Sequence, residues 1–214
     1  MRKIFLSILF ILCIACMAWA EPKAAQDASQ YITISVGKGS NAEFNFYEHD
    51  VDNNFKEIMQ AKAYIGKKGL GKTREGDMKT PVGVFHFTEA CGILPDPGSK
   101  IGYTQVDGTH YWVGDSSSSY YNKFVSTRDY DDFNKKDSEH IIDYNLAYKY
   151  VLNISYNEDG KPGLGSAIFL HCQTKNKFTG GCVAIPENIM REVVKRVNSD
   201  CIIIIDKAKN INNY

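Results

Sequence analysis

Residues 165–187 read GSAIFLHCQTKNKFTGGCVAIPE and place two short apolar runs on either side of a polar loop. The first run, AIFL at 167–170, is typical of a buried β-strand and delivers His171 at its end. The second run, CVAI at 182–185, begins with Cys182. If the two strands are neighbours in a sheet, His171 and Cys182 lie at the same edge. This stretch therefore predicts a strand-rich fold with a site between two strands.

Most of the chain continues the pattern of short strands. Alternating or apolar runs predict strands at 31–36, 43–49, 61–65, 82–89, 110–115, 149–157 and 201–205. NNFKEIMQ at 53–60 is expected to be a short helix or a turn, and the Gly- and Pro-rich residues 89–109 a loop. The sequence therefore predicts a mainly β domain.

One segment near the C-terminus has helical periodicity. In ENIMREVVKRVN at 187–198 the apolar side chains on one helical face are Ile189, Met190, Val193, Val194 and Val197. Pro186 suits the first turn of such a helix. We expect a single helix here, between two strands.

The N-terminus has the composition of a secretory signal peptide. Arg2 and Lys3 precede an apolar run that ends in AWA at 18–20, which predicts cleavage after Ala20. An uncleaved membrane anchor is the alternative, although the run is short for a span of about 20 residues. Lipid attachment at Cys16 is a second alternative.

Length and composition favour one globular domain after this leader. The chain has 214 residues, of which 43% are hydrophobic and 23% charged. We expect a signal peptide at 1–20, a short polar leader at 21–30 and a single domain at 31–214. The protein is then exported, and periplasmic or associated with the cell wall.

Charge and cysteine content exclude some classes of protein. Loss of residues 1–20 removes two bases and leaves a net charge of −2, which gives no electrostatic case for nucleic acid or an anionic membrane. The remaining cysteines are Cys91, Cys172, Cys182 and Cys201. Four scattered cysteines do not make a disulfide scaffold, and their pairing stays open.

The stretch GKKGLGKT at 66–73 matches the phosphate-loop pattern of nucleotide-binding proteins. Such a loop needs a helix directly after it, because the helix N-terminus faces the phosphates. The chain instead continues TREGDMKTPVGVF, with Gly76, Pro81 and Gly83 in the first turns. We therefore predict no nucleotide, and Lys72 is expected at the surface or at the rim of a cleft.

The pairing of Cys182 with His171 predicts acyl-transfer chemistry. A thiol attacks well only as thiolate, and an imidazole within hydrogen-bond reach accepts its proton. Thr179, Gly180 and Gly181 precede the thiol, and the glycines allow a tight turn whose amides face a developing oxyanion.

Non-catalytic interpretations of the same residues also stand at this point. Cys182 is explained equally by a small buried side chain, and His171 by a hydrogen-bonded core histidine. Cys172 and Cys182 are candidates for a disulfide. His171 with these two cysteines would give a zinc site, but no C-x-x-C pair or fourth ligand accompanies them, and we predict no metal.

The pattern H-C-x(6)-T-G-G-C-V-A-I-P, preceded by GSAIFL, resembles the active-site signature of the L,D-transpeptidase (YkuD-type) family. Similar stretches occur in the family's order at 71–85, 115–125, 137–140 and 148–157. The likeness covers roughly residues 60–205. It implies a β-sandwich or barrel catalytic domain that acts on peptidoglycan stem peptides without a cofactor.

The resemblance also implies a role for each site residue. Cys182 attacks the carbonyl of the L-centre of the third stem residue and expels the terminal D-alanine. His171 is the general base, oriented by a backbone carbonyl near Cys172. Gly181 and Cys182 supply the oxyanion amides, with Gly180 and Thr179 in support.

Some features of this chain differ from the family pattern. Many members carry Ser-His-Gly before the nucleophile, whereas this chain has Thr179, Gly180 and Gly181. The acyl acceptor therefore stays open between an amine, which gives a 3–3 cross-link, and water, which gives an L,D-carboxypeptidase. A non-catalytic wall-binding domain is the alternative from another class.

Further substrate-binding residues are carried over from family-like segments, and we expect the protein to be a monomer. These residues are Lys72, Asp115, Tyr121, Asn122 and Glu139.

Overall fold

The computed structural model describes residues 21–214, and strands dominate it. The strands are β1 (Gln30–Val36), β2 (Asn41–His49), β3 (Phe55–Tyr64), β4 (Gly83–Gly92), β5 (Tyr103–Gln105), β6 (His110–Trp112), β7 (Phe124–Ser126), β8 (Glu139–His140), β9 (Val151–Ile154), β10 (Phe169–Cys172), β11 (Val183–Ile185) and β12 (Ile202–Lys207). The α-helix of this range is α1 (Glu187–Arg196). The predicted signal peptide, the anchor alternative and Cys16 lie outside the described residues.

Eight strands close into a barrel. Their order is β12, β1, β2, β3, β11, β10, β9 and β4, and β4 pairs back to β12. β12 runs parallel to β1 through Tyr31 and Ile202, and antiparallel to β4 through Val84 and Ile204. The second half of β4 pairs with β9 and with the short edge strand β5. This architecture confirms the predicted mainly β sandwich or barrel.

The barrel interior and one face of α1 share a hydrophobic core. Met190, Val193, Val194 and Val197 are fully buried in it, and Ile189 packs against it. These five residues are the predicted helical face, so the helix prediction is confirmed. The core strands contribute mainly aliphatic and aromatic residues, among them Ile32, Ile34, Phe44, Phe46, Leu152, Ile154, Leu170, Ile203 and Ile205.

A second sheet covers part of the barrel wall. It has the order β7, β6, β8. Trp112 of β6 packs edge-on against Phe169 of β10, with ring centroids 4.9 Å apart. Both belong to a second buried cluster that also holds Tyr148 and Cys182. Cys182 therefore lies between the barrel wall and this outer layer.

Two of the local predictions are wrong. Residues 55–60 are the first part of β3 rather than a helix or turn, because they pair along β2 from His49 and Phe55 onward. The predicted loop at 89–109 contains the end of β4 and all of β5.

Residues 21–30, expected as a polar leader, are packed onto the domain. Lys23–Ala25 form a 3-10 turn, and the Ala24 amide donates to the Tyr214 carbonyl at 3.2 Å. Ala25 and Ala28 are buried, and Gln30 already belongs to β1.

Between residues 21 and 214, no helix has both the length and the apolar character needed to cross a bilayer.

Candidate active site

A cleft of about 460 Å³ opens beside the β10–β11 edge of the barrel. Its wall includes Lys72, Glu75, Glu139, Tyr144, Tyr148, His171, Phe178, Gly180, Gly181 and Cys182. A shallower concavity of about 620 Å³ lies over β1–β3, but no cysteine or histidine lines it. The thiol and the imidazole that the sequence singles out therefore share one cavity.

His171 reaches the cleft because of the alternation along β10. Ile168, Leu170 and Cys172 point into the barrel core, whereas Ala167 and Phe169 belong to the outer cluster. His171 is two residues after Phe169, so its side chain lies on the same face of the strand, and it lines the cleft. The strand runs to Cys172, so His171 lies within it rather than at its end as the sequence suggested.

The imidazole is held in one tautomer. His171 Nδ1 lies 2.9 Å from the Cys172 carbonyl, which can only accept, so Nδ1 carries the proton. This is the orienting carbonyl that the family resemblance implied. Tyr148 packs edge-on against the ring at 5.5 Å. Burial lowers the pKa of His171 to about 4, although the Cys172 carbonyl opposes the shift. The imidazole is therefore neutral at pH 7, with Nε2 available as an acceptor.

Cys182 is a buried free thiol. Its Sγ donates to the Ala167 carbonyl at 3.1 Å and faces the Phe169 amide at 3.4 Å. Burial raises the pKa of Cys182 to about 12, and Glu139 raises it further, while the Phe169 amide and Lys72 lower it. The resting site thus holds a neutral thiol and a neutral imidazole.

The alternative roles of the cysteines do not match these positions. Cys91, Cys172, Cys182 and Cys201 are all free. The Cys172 thiol faces the Tyr150 carbonyl on the core side of β10, away from the cleft. Among the residues described, no three His, Cys, Asp or Glu side chains group as metal ligands.

Two threonines hold the turn before Cys182. Thr179 Oγ1 donates to the Cys182 carbonyl at 2.6 Å and accepts from the Gly181 amide at 3.1 Å. The Gly181 amide is engaged inside its own turn, which counts against its predicted role as an oxyanion donor. Gly180 lines the cleft, and the Cys182 amide faces Sγ. A Cβ at Gly181 would lie 2.9 Å from the Lys79 carbonyl, so the turn requires glycine there.

The second threonine, Thr80, is fully buried and was missed by the sequence analysis. Its Oγ1 donates to the Gly181 carbonyl at 2.7 Å and accepts from the Gly66 amide at 2.9 Å. Thr80 thereby connects the GKKGLGKT loop to the turn that carries Cys182. No helix follows this loop: the next element along the described chain is β4, as the residues after Thr73 indicated.

Lys72 is not a surface residue. Its side chain is 2% exposed and forms an ion pair of 3.2 Å with Asp77, which is also buried. Burial alone would raise the pKa of Asp77, but the amides of Thr73, Lys79 and Arg74, together with Lys72, lower it to about 2. The fixed spacing of lysine and aspartate in GKTREGD was the available signal for this pair.

Glu139 lines the cleft as predicted. Tyr148 donates to its Oε2 at 2.5 Å, and burial raises the pKa of Glu139 to about 7. It also borders an adjoining cavity of about 340 Å³, as does Asp115. Asp115 accepts from the Ser117 and Asn134 amides and so fixes the loop around it.

Tyr121 and Asn122 lie behind the cleft rather than on its wall. Tyr121 donates to Glu75 Oε2 at 2.8 Å. Asn122 Oδ1 accepts from the Trp112 indole at 2.8 Å and from the Ala167 amide at 3.0 Å. Both residues support the segment whose Ala167 carbonyl accepts from the Cys182 thiol, and their contact with substrate stays a prediction.

Comparison with known proteins agrees with this arrangement. A model of the YkuD family, described as the L,D-transpeptidase catalytic domain, matches residues 29–205. The chain belongs to the YkuD family. The resemblance inferred from the signature around Cys182 is thus confirmed at the level of the family. A search of the curated proteins found no match.

Solved structures similar to this YkuD domain come from several bacteria. Mycobacterium tuberculosis L,D-transpeptidase 1 is 13% identical, with a TM-score of 0.39 over 83% of this chain and 62% of that one. The helical cell shape determining protein Pgp2 from Campylobacter jejuni is 18% identical, with a TM-score of 0.43 over 87% of this chain and 50% of that one. A cysteine-to-serine mutant of Enterococcus faecium L,D-transpeptidase is 12% identical, with a TM-score of 0.39 over 83% of this chain and 50% of that one. The YkuD chain described here spans about half to three fifths of their lengths.

Proposed function

We propose that this protein is an exported, cysteine-dependent L,D-transpeptidase that acts on peptidoglycan stem peptides. The observation that carries the proposal is the placement of Cys182 and His171 in one cleft of a YkuD-family domain. A thiol and an oriented imidazole on adjacent strands are the components of nucleophilic acyl transfer. The family supplies the substrate class.

The first half-reaction forms an acyl-enzyme. Cys182 Sγ attacks the carbonyl of the L-centre of the third stem residue as its proton passes to His171 Nε2. The amide C–N bond then breaks, and the imidazolium returns the proton to the departing amine of D-alanine. Because both groups are neutral at rest, proton transfer and attack occur together rather than from a preformed thiolate.

The second half-reaction returns the enzyme to its resting state. An amine of a second stem attacks the thioester carbonyl, His171 removes the proton from that amine, and Sγ leaves to regain a proton. The product is a 3–3 cross-link. Water in place of the amine gives a tripeptide, which is the L,D-carboxypeptidase outcome.

Incubation with tetrapeptide-stem muropeptides, followed by mass spectrometry, tests this function. We expect cross-linked dimers and free D-alanine from the wild type and a loss of at least about a hundredfold in Cys182→Ala, because the nucleophile is absent. Cys201→Ala removes a thiol from the barrel core and should keep turnover. Tripeptide without dimers would assign the carboxypeptidase activity instead, and no turnover would reject both enzymes.

Export is tested separately. If the signal peptide is cleaved as we propose, the N-terminus of the protein recovered from the periplasm or cell wall begins at Glu21. Recovery of a chain that still begins at Met1 would contradict this.

A further inference from the structure

Lys72 is a buried cation in the wall of the cleft that holds Cys182. Its side chain is 2% exposed, and its Nζ lies 3.2 Å from both Asp77 Oδ1 and the Arg74 carbonyl. An ammonium has three N–H donors, so these two contacts leave one. Asp77 is itself fixed by the amides of Thr73, Arg74 and Lys79.

Two glycines make room for this cation beside the nucleophile. A Cβ at Gly165 would overlap Lys72 Cε, and a Cβ at Gly181 would lie 3.7 Å from Lys72 Nζ. Gly181 directly precedes Cys182, and Lys72, Gly181 and Cys182 line the same cleft. The backbone is therefore shaped around the ammonium at the turn that carries the thiol.

Burial disfavours the charged forms of both reactive groups of the site. Burial raises the pKa of Cys182 to about 12 and lowers that of His171 to about 4, so both charged forms are disfavoured there. The titratable groups that line the cleft with Cys182 are His171, Glu75, Glu139, Tyr144 and Tyr148 together with Lys72. Of these, Lys72 is the group that carries a positive charge at neutral pH.

We propose that Lys72 is a positioning residue of the acyl-transfer site: its ammonium, held by Asp77 beside Gly181, stabilises the negative charge that develops on Cys182 Sγ during attack. Lys72 keeps its own protons throughout, and the thiol proton still passes to His171 Nε2. This inference rests on the proposed function, because it takes Cys182 as the nucleophile.

The test is the pH dependence of Cys182 alkylation by iodoacetamide in the full-length protein, followed by peptide mass spectrometry so that the other thiols do not interfere. In Lys72→Met we expect the alkylation rate at a fixed pH between about 7 and 9 to fall roughly tenfold, which corresponds to a midpoint about one pH unit higher, because a nearby cation is lost. Lys72→Arg keeps the charge and should stay closer to wild type. Lys38→Met makes the same chemical change at an exposed turn and should leave the midpoint unchanged.

Asp77→Asn provides a second measurement, independent of whether Lys72→Met folds. The asparagine oxygen can still accept from the Thr73 and Arg74 amides, but the bond from the Lys79 amide is lost and the compensating negative charge is gone. We therefore expect the Cys182 midpoint to fall, in the direction opposite to Lys72→Met. A role limited to folding would not produce shifts of opposite sign.

Three results would overturn the inference. The first is a Lys72→Met profile that coincides with wild type, and the second is an Asp77→Asn midpoint that rises. The third is a wild type whose Cys182 is neither alkylated nor active on muropeptides, which removes the proposed function as well. Normal wild-type turnover with unshifted variant profiles refutes only the role of Lys72.

Discussion

At the scale of single residues, the cleft holds the Cys182 thiol and the His171 imidazole in their uncharged forms. The Cys182 thiol donates a hydrogen bond to the Ala167 carbonyl, and His171 Nδ1 donates one to the Cys172 carbonyl, which fixes the ring. Glu139 is the carboxyl whose charge favours the protonated thiol, since it raises the pKa of Cys182 when ionised. The protonation of Glu139 is therefore coupled to the reactivity of the thiol.

Glu139→Gln tests this coupling through stability. Burial raises the folded-state pKa of Glu139 to about 7, so the folded protein holds this proton more tightly than the unfolded chain does. Wild-type stability consequently falls as pH rises from about 4.5 towards 7, the unfolded and folded pKa values, and stays low above that. Because glutamine is neutral at every pH, the variant should match wild type near pH 4.5 and be more stable at pH 8 by roughly 1–2 kcal/mol.

Thermal melting of both proteins at these two pH values measures the difference. A Glu139→Gln variant that is less stable than wild type at pH 8 would show that the carboxylate is stabilising in the fold, contrary to this argument.

At the scale of elements, the GKKGLGKT loop supports the turn that carries Cys182. The Lys67 amide donates to the Thr179 carbonyl at 3.0 Å, and the Thr179 amide donates to the Ile65 carbonyl at 2.9 Å. Gly66 is the residue of this loop at which the backbone comes closest to the backbone of residues 78 and 79. Gly66 thus serves backbone packing, whereas Gly69 and Gly71 have positive φ and serve the turn.

Gly66→Ala should be costly for this reason. A Cβ there would lie 2.5 Å from the Met78 carbonyl and 2.9 Å from the Lys79 backbone, which cannot move without disturbing the Asp77 turn. We expect the free energy of unfolding to fall by about 2–3 kcal/mol. Gly102→Ala is the matched control, because a Cβ at Gly102 meets no atom within 4 Å, and its change should stay within about 0.5 kcal/mol. Urea denaturation measures both, and equal losses would contradict the steric argument.

Local pattern sufficed for some elements and failed for others. The apolar stripe of α1 and the alternation of β9 are properties of one segment and are readable from sequence. β3 is not, because residues 55–60 contain the helix formers Lys56, Glu57, Met59 and Gln60, and it is pairing with β2 that makes them a strand.

The candidate site divides in the same way. Cys182, His171 and the Cys172 carbonyl follow from a contiguous stretch of sequence. Thr80 and Tyr121 act on segments far from them in the chain, reaching Gly181 and Glu75, and no local signal reports such contacts. The burial of Lys72 depends on how the loop folds over Gly165 and Gly181, so the sequence suggested a lysine at the surface or at the rim of a cleft.

At the scale of the whole molecule, β12 is the strand that completes the barrel. It hydrogen-bonds to β1 on one side and to β4 on the other, and Ile203, Ile204 and Ile205 are fully buried. By contrast, β5 pairs only with β4 and lies at an edge. The two strands should therefore differ in how they open.

Native-state hydrogen exchange measures that difference. We expect the amides of β12 to exchange only through global unfolding, with protection equal to the full free energy of unfolding, because neither side of the strand is free. Amides of β5 should exchange by local opening and lose protection at least tenfold sooner. Equal exchange rates in the two strands would mean that β12 separates from β1 and β4 by local opening, without global unfolding.

The position of β12 in the chain also sets an order of events during protein synthesis. Tyr31 is synthesised long before Ile202, its pairing partner in β12. The barrel therefore stays open until residues 202–207 have left the ribosome. Contacts between such distant segments carry a large loop-closure cost and form late. Until then β1 and β4 each have an unpaired edge, and a nascent chain in that condition is vulnerable to aggregation.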